Sequence, residues 1–258
     1  DVVVEEAFSF PLVPGTPNAA PSVEDIEEQL AAELTRRGLG SGDALVAVPR
    51  SSIELRTLSL PQAPPEEIPD MVRFQATQAF PSIGDDWPLD FVQLDSLDES
   101  LNLLAAVTSP EEVAKVQRIC RASDLDNRCL ALRPFAAVSL LHRHESIDAY
   151  CSSLIVDLLP GGADLTATYN GNVVFMRSVR LPSGEDVAAQ SAALVRELRR
   201  TIGAAQNQMG GNRIEQIVVC GAEPHYTDLR KSIADTLPLN VVAFDPFKVL
   251  QLYRHLEQ

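Results

Sequence analysis

Apolar residues recur along this chain with two periods, and the switches between those periods mark its elements. Val2 to Phe10 reads as a strand, and Ala44 to Val48 is a continuous apolar run of the kind found in buried strands. Between them lies a Pro/Gly/Asn-rich loop, Pro11 to Pro21, and then a helix whose apolar face is Val23, Ile26, Leu30 and Leu34. Ser22 caps that helix, Asp25 stands where a capping box carries its acid, and Gly38 ends it.

A block follows from Ser51 to about Ser123. Ile53 to Leu60 alternates imperfectly, with Ile53, Leu55 and Thr57 set against Glu54, Arg56 and Leu58. Pro64 and Pro65 precede a helical face of Ile68, Met71, Val72, Ala76 and Ala79, where Pro69 is tolerated only in the first turn. Strands are predicted at Leu89 to Leu94 and Leu101 to Thr108. Ser109-Pro110-Glu111-Glu112 then opens a helix carrying Val113, Val116 and Ile119, with Ser109 as cap and Pro110 at the first helical position. The order β-α-β-β-α is that of a small two-layer α+β unit.

Cys129 to Leu132 reads as a strand and Phe135 to about His144 as a helix. Three strands follow, Leu154–Asp157, Leu165–Tyr169 and Val173–Val179, and Asn170-Gly171 supplies the positive φ values of a type I′ hairpin turn. The longest helix is predicted from a cap at Ser183 to about Gln208, with Val187, Ser191, Leu194, Leu198, Ile202 and Ala205 on one side. Strand 217–220, helix 226–237, strand 241–244 and a last helix complete the pattern. The second half thus reads β-β-β-α-β-α-β-α, the ribonuclease-H-like half-fold that actin-like proteins carry twice. The first half has one strand before its first helix where a full half-fold needs three, so the first strands of that lobe are expected to be missing. The expected division is a first lobe at 1–150, with its insert at about 51–123, and a second lobe at 151–258.

The 258 residues carry a formal net charge of −15. That field disfavours phosphate backbones and anionic lipid, so nucleic-acid binding is not expected. Cys120, Cys129, Cys151 and Cys220 form no C-x-x-C pair and sit in apolar stretches, as reduced core thiols do. No apolar run approaches the roughly 20 residues of a membrane span, and no signal peptide opens the chain. The expectation is a cytoplasmic protein.

Three stretches together resemble the PilM family of type IV pilus assembly proteins, relatives of the actin-like cell-division protein FtsA. The first is Leu45-Val46-Ala47-Val48-Pro49-Arg50-Ser51 with Arg56, Leu60-Pro61 and Phe74-Gln75-Ala76. The second is Val156-Asp157 through Asn170-Gly171-Asn172-Val173-Val174-Phe175-Met176-Arg177-Ser178. The third is Ile217-Val218-Val219-Cys220-Gly221-Ala222, with Asp245-Pro246-Phe247 downstream. The cytoplasmic part of the type II secretion protein GspL is similar. The resemblance implies an actin-like ATPase fold in which 51–123 is the inserted 1C subdomain. It also implies a cytoplasmic scaffold, peripheral to the inner membrane, that holds the N-terminal peptide of a PilN-like inner-membrane protein, and ATP bound between lobes.

An actin-like nucleotide site needs two glycine-rich turns that offer backbone N–H groups to phosphate, each with an Asp near the metal, and a third glycine turn for adenosine. The first turn is expected upstream of Val2. Asp157 matches the second, but Leu159 stands where glycine belongs, and Gly161 and Gly162 come late, after Pro160, which lacks an N–H. Of the adenosine turn only Gly221 matches, with Ala222 and Glu223 replacing further glycines. Asp157, Gly161, Gly162, Gly221 and Ala222 therefore make a vestigial ATP site, and Gly161-Gly162 also reads as a plain hairpin turn. No cofactor is expected in this chain, although ATP and Mg would suit a longer parent. The chain is not expected to be an enzyme.

His142-Arg143-His144-Glu145 suits a solvated helix end better than a metal site, since residues at i and i+2 point to different sides. Cys120 and Cys129 lack zinc spacing, and no metal site is expected. Asp85-Asp86, Asp95, Asp98 and Glu99 read as solvated loops. Trp87 either anchors a partner or covers the core of the insert. No G-x-S-x-G or H-E-x-x-H motif is present. The expected function is a scaffold of a type IV pilus or type II secretion machine, with a peptide groove between the strand at 44–49 and the helix at 66–80. The rival is a working actin-like ATPase whose first phosphate loop lies outside the chain; a sugar-kinase or phosphatase relative is a more distant third.

Overall fold

The computed structural model describes residues 3–16, 20–81, 83–94, 100–143, 148, 150–159, 161–182, 186–220 and 226–252. Its elements in chain order are β1 (Val3–Val4), α1 (Val23–Arg37), β2 (Gly42–Val48), β3 (Glu54–Pro61), α2 (Ile68–Ala79), β4 (Leu89–Gln93), β5 (Ser100–Val107), α3 (Pro110–Ala122) and β6 (Leu125–Leu132). There follow α4 (Arg133–Leu141), β7 (Ser153–Leu159), β8 (Gly162–Tyr169), β9 (Asn172–Arg180), α5 (Val187–Gln208), β10 (Gln216–Cys220), α6 (Tyr226–Thr236), β11 (Asn240–Phe244) and β12 (Gln251–Leu252). The chain divides into two units, one of residues 9–131 and one of residues 1–8 with 132–258.

In the unit of residues 9–131, α1 starts as read. The Ser22 hydroxyl accepts from the Asp25 N–H, the Asp25 carboxylate accepts from the Ser22 N–H, and Gly38 closes the helix in the left-handed region. The insert is a three-stranded antiparallel sheet in the order β3-β5-β4 with α2 on one face. Leu58 and Leu60 of β3 face Leu103 and Leu101 of β5 across the ladder, and with Val72, Ala76 and Phe80 they make a separate core. The imperfect alternation of β3 is thereby resolved: Leu58 and Leu60 belong to the α2 face, while Leu55 is buried on the other. Trp87 lies against this core, and Arg73 Nη1 donates to its carbonyl at 2.9 Å. Helix α3 does not join the insert. It packs on α1, where Arg118 bridges Glu24 and Glu27, so the self-contained part of the block is 53–107.

Strand β2 departs from expectation. It pairs with β6 in a two-stranded sheet, and Leu45 is 76% exposed where a buried strand was predicted. A continuous apolar run does not by itself distinguish a strand covered on both faces from one that is not.

The other unit is built on a five-stranded sheet in the order β11-β10-β7-β8-β9. Strands β7, β10 and β11 run parallel, and the β7-β8-β9 meander is antiparallel. Asn170 and Gly171, at φ 50° and 80°, make the β8–β9 turn as read. Leu154, Val156, Leu165, Ile217 and Val219 face α5 and α6. On the opposite face Ile155, Val218 and Cys220 pack with Val138 and Leu141 of α4. That packing is why the boundary falls at 131/132 and not at 150: α4 completes this sheet and carries residues 132–150 with it.

Three further differences appear. The first strand is limited to Val3–Val4, which pairs in parallel with β12, so Glu5 to Phe10 lie outside it. Helix α5 is capped by Asp186, whose carboxylate accepts from the Ala189 N–H; Ser183 falls outside the described residues. Among the described residues that follow β11, where a last helix was expected, Asp245 caps a single 3-10 turn over Pro246–Val249, which hands over to β12; residues 253–258 lie outside the described residues.

Candidate functional site

Asp157 lies two residues before the end of β7, and its neighbours follow from sheet register. Cys220 on β10, Asp157 on β7, Asp164 on β8 and Ser178 on β9 form one row across four strands. Paired residues share a face, and this is the face that α4 covers. Helix α4 begins with Arg133, followed by Pro134 in the first turn, and the Arg133 side chain meets the row.

The Arg133 guanidinium holds both carboxylates. Nη2 donates to Asp164 Oδ2 at 2.5 Å, and Nε stands 3.1 Å from Asp157 Oδ2, close enough for an ion pair but out of line for a hydrogen bond. Ser178 Oγ donates to the second oxygen of Asp164 at 2.6 Å. Asp164 is 2% exposed, so its two partners are what make an ionised carboxylate tolerable there. Burial pushes the Asp157 carboxyl above its ordinary range; Arg133 pulls it back and Asp164 pushes it further up. Burial also raises the Cys220 thiol, with the charge of Asp157 adding to the effect.

The glycines beyond Asp157 are accounted for by the chain itself. Leu159 pairs with Gly162, leaving a two-residue connection, and Gly161 sits at φ 75°. The Gly161 carbonyl accepts from the Leu181 N–H at 2.9 Å, and a Cβ on Gly162 would lie 2.5 Å from the Val179 carbonyl oxygen. Gly162 is thus required by the close approach of β9. Gly221, Ala222, Glu223 and Pro160 lie outside the described residues.

At the other end of β7, the Cys151 thiol donates to Glu215 at 2.9 Å, and the same carboxylate oxygen accepts from the Ser152 N–H. Burial, then Glu215, then Asp148 push the Cys151 thiol up to about 12. His142 caps the end of α4, whereas His144 and Glu145 fall outside the described residues, as do Asp95, Asp98 and Glu99. Among the described residues no group of three His, Cys, Asp or Glu side chains could hold a metal ion.

Arg133, Asp164 and Ser178 were not singled out from sequence. Asp164 lies between Ala163 and Leu165, and in a period-two pattern that position reads as solvent-facing. The available signal was Arg133-Pro134 at a helix start preceding a strand that ends in Asp, which is too common to be specific.

No protein-family model matches the sequence, and no curated protein matches it. Among solved structures, the chain aligns with a chain of the PilM–PilN type IV pilus biogenesis complex at TM-score 0.76 and 20% identity, over 94% of this chain and 82% of that one. It aligns with the cytoplasmic domain of EpsL, an inner-membrane component of the Vibrio cholerae type II secretion system, at TM-score 0.49 and 13% identity, over 85% and 83%. A Bacteroides thetaiotaomicron protein with an actin-like ATPase fold aligns at TM-score 0.41 and 9% identity, over 84% and 77%. By its sheet order and by the first of these likenesses, this chain has an actin-like fold, shared with a chain of the PilM–PilN complex.

Proposed function

We propose that this protein is a scaffold of a type IV pilus or type II secretion assembly that binds the cytoplasmic segment of an inner-membrane partner, and that it does not turn over nucleotide. The observation that carries the scaffold reading is the fold shared with a chain of the PilM–PilN complex over 94% of this chain. Charge adds the chemistry of the partner. Residues 9–131 hold nine Lys and Arg against twenty Asp and Glu, a net −11 of the whole chain's −15. A partner segment with Lys or Arg among aliphatic anchors fits that field and is steered by it. The protein works in the cytoplasm, at the membrane through its partner; among the described residues no helix is long and apolar enough to cross a bilayer.

The non-enzymatic reading rests on Arg133. The residues around Asp157 do not fit a magnesium nucleotide: the carboxylate already faces a guanidinium of its own unit, and Leu159 replaces a glycine. A metal there would have to displace a cation that also neutralises Asp164.

The test is a titration of the chain with N-terminal cytoplasmic peptides of membrane proteins encoded beside it. Saturable binding to one such peptide is expected, and binding should vanish when residues 54–107 are replaced by a short linker. Glu54 and Val107 are paired neighbours, so the excision can be bridged without strain. Binding to none of the peptides would sink the scaffold reading.

A further inference from the structure

The outer face of α5 carries a group of arginines without matching acids. Arg196, Arg199 and Arg200 are exposed there, spaced three and four apart in the middle of the helix, where neither end of the dipole accounts for them. Between Val187 and Ile214 the only acid is Glu197, and it is already engaged: its two oxygens meet Arg177 and Arg200. Among the described residues Arg196 and Arg199 have no ion pair, although Asp and Glu outnumber Lys and Arg by 36 to 21 in this chain. On the helices of the other unit, Arg36, Arg37 and Arg118 all have carboxylate partners. Helix α6, packed beside α5, adds Arg230 and Lys231 against Asp228 and Asp235, which leaves the surplus as it is. Like charges at this spacing repel, so the group lowers the stability of α5 and gains nothing within its own unit.

We infer that this face rests on the anionic headgroups of a membrane. It offers charge and no apolar anchor: beside the arginines stand Ala188, Ala192 and Gly203, all exposed, and no large hydrophobic residue of α5 is exposed. A protein partner draws its affinity from buried aromatic or aliphatic anchors, whereas a headgroup layer is bound by charge alone. The small neighbours also leave no bulk beside the guanidinium groups that would hold them off a flat surface. The net charge of −15 opposes approach to such a surface from a distance, but at physiological salt that repulsion reaches only about 8 Å, so the face presented decides contact. This contact goes beyond the partner-held membrane location proposed above and does not depend on it, because it needs no peptide.

The experiment is co-sedimentation of the full chain with lipid vesicles at low salt, with no peptide present. Vesicles of phosphatidylglycerol and phosphatidylcholine should retain roughly tenfold more protein than phosphatidylcholine alone, and added salt should release it. Arg196→Glu with Arg199→Glu, at exposed positions where the change breaks no ion pair among the described residues, should lower retention by roughly fivefold. Arg196→Lys with Arg199→Lys should keep it. Lys115→Glu with Arg121→Glu makes the same change of net charge on α3 of the other unit, and should leave retention within about twofold of the parent. Equal retention by neutral vesicles, no retention by either, or equal loss in the two glutamate variants overturns the inference. Two further results overturn it by naming another occupant. Self-association of the parent that Arg196→Glu with Arg199→Glu abolishes would identify a second copy, and tighter binding to duplex DNA than to vesicles would identify a nucleic acid.

Discussion

Asp157 stands directly across the β7–β8 ladder from Asp164, and one guanidinium, that of Arg133, answers both. Two carboxylates so placed repel each other, and burial compounds the effect. The arrangement is therefore asymmetric: Asp164 has two well-formed partners, and Asp157 has a misaligned half of one.

The asymmetry has a pH signature. Because the folded-state carboxyl of Asp157 titrates above its unfolded value, its contribution to stability is full below the unfolded pKa and is lost as pH rises through the folded one. Asp157→Asn should therefore be more favourable, relative to the parent, at pH 7 than at pH 3, with a net change within about 1 kcal/mol at neutral pH. Urea unfolding at the two pH values measures this. A variant that loses stability at pH 7 but not at pH 3 would show Asp157 to be a net stabiliser.

Arg133→Met should be far worse, costing about 3–5 kcal/mol, because it strands the buried Asp164 and the half-buried Asp157 without a cation. The cost should shrink in acid as Asp157, whose carboxyl is raised by burial, protonates. If it stays constant from pH 7 to pH 4, lost packing is the cause and not lost charge.

Gly162→Ala and Gly161→Ala separate a close approach from a turn. The added methyl at 162 meets a backbone oxygen of β9 and should cost several kcal/mol. At 161 only the positive φ is penalised, by about 1–2 kcal/mol. Denaturant midpoints should rank them in that order.

Thiol mapping by mass spectrometry at pH 8 should find Cys129 modified first. It is exposed, whereas burial raises the thiols of Cys120, Cys151 and Cys220. Modification of Cys151 as fast as Cys129 would mean that its contact with Glu215 does not persist in solution.

Calorimetry with Mg-ATP should give no saturable heat. Micromolar binding that disappears in Asp157→Ala would show that Arg133 yields to the metal, and the ATPase reading would then replace the one proposed.

Local chemistry was the legible part of this fold. Ser22 with Asp25, Ser109 with Pro110, and Asn170 with Gly171 each act through neighbours a few residues away, and each does what its sequence implies. The β-β-β-α-β-α-β order followed from periodicity for the same reason. What stayed hidden depends on distant partners. Arg133 meets Asp164 across 31 positions, and alternation alone sent Asp164 to solvent because nothing local announces that α4 lies over that face. The exposure of Leu45 depends likewise on what packs against β2 from elsewhere in the chain, which no pattern within 44–48 records.

The pairing of Val3–Val4 with Gln251–Leu252 sets an order of events during synthesis. The unit of residues 9–131 lies, in sequence, inside the other, so its own contacts are complete once residue 131 has emerged. The surrounding unit cannot close its first strand until residue 252 is available. Vectorial folding on the ribosome should thus deliver the insert-bearing unit first, with its acidic field already presented while the remaining half of the polypeptide is still being made.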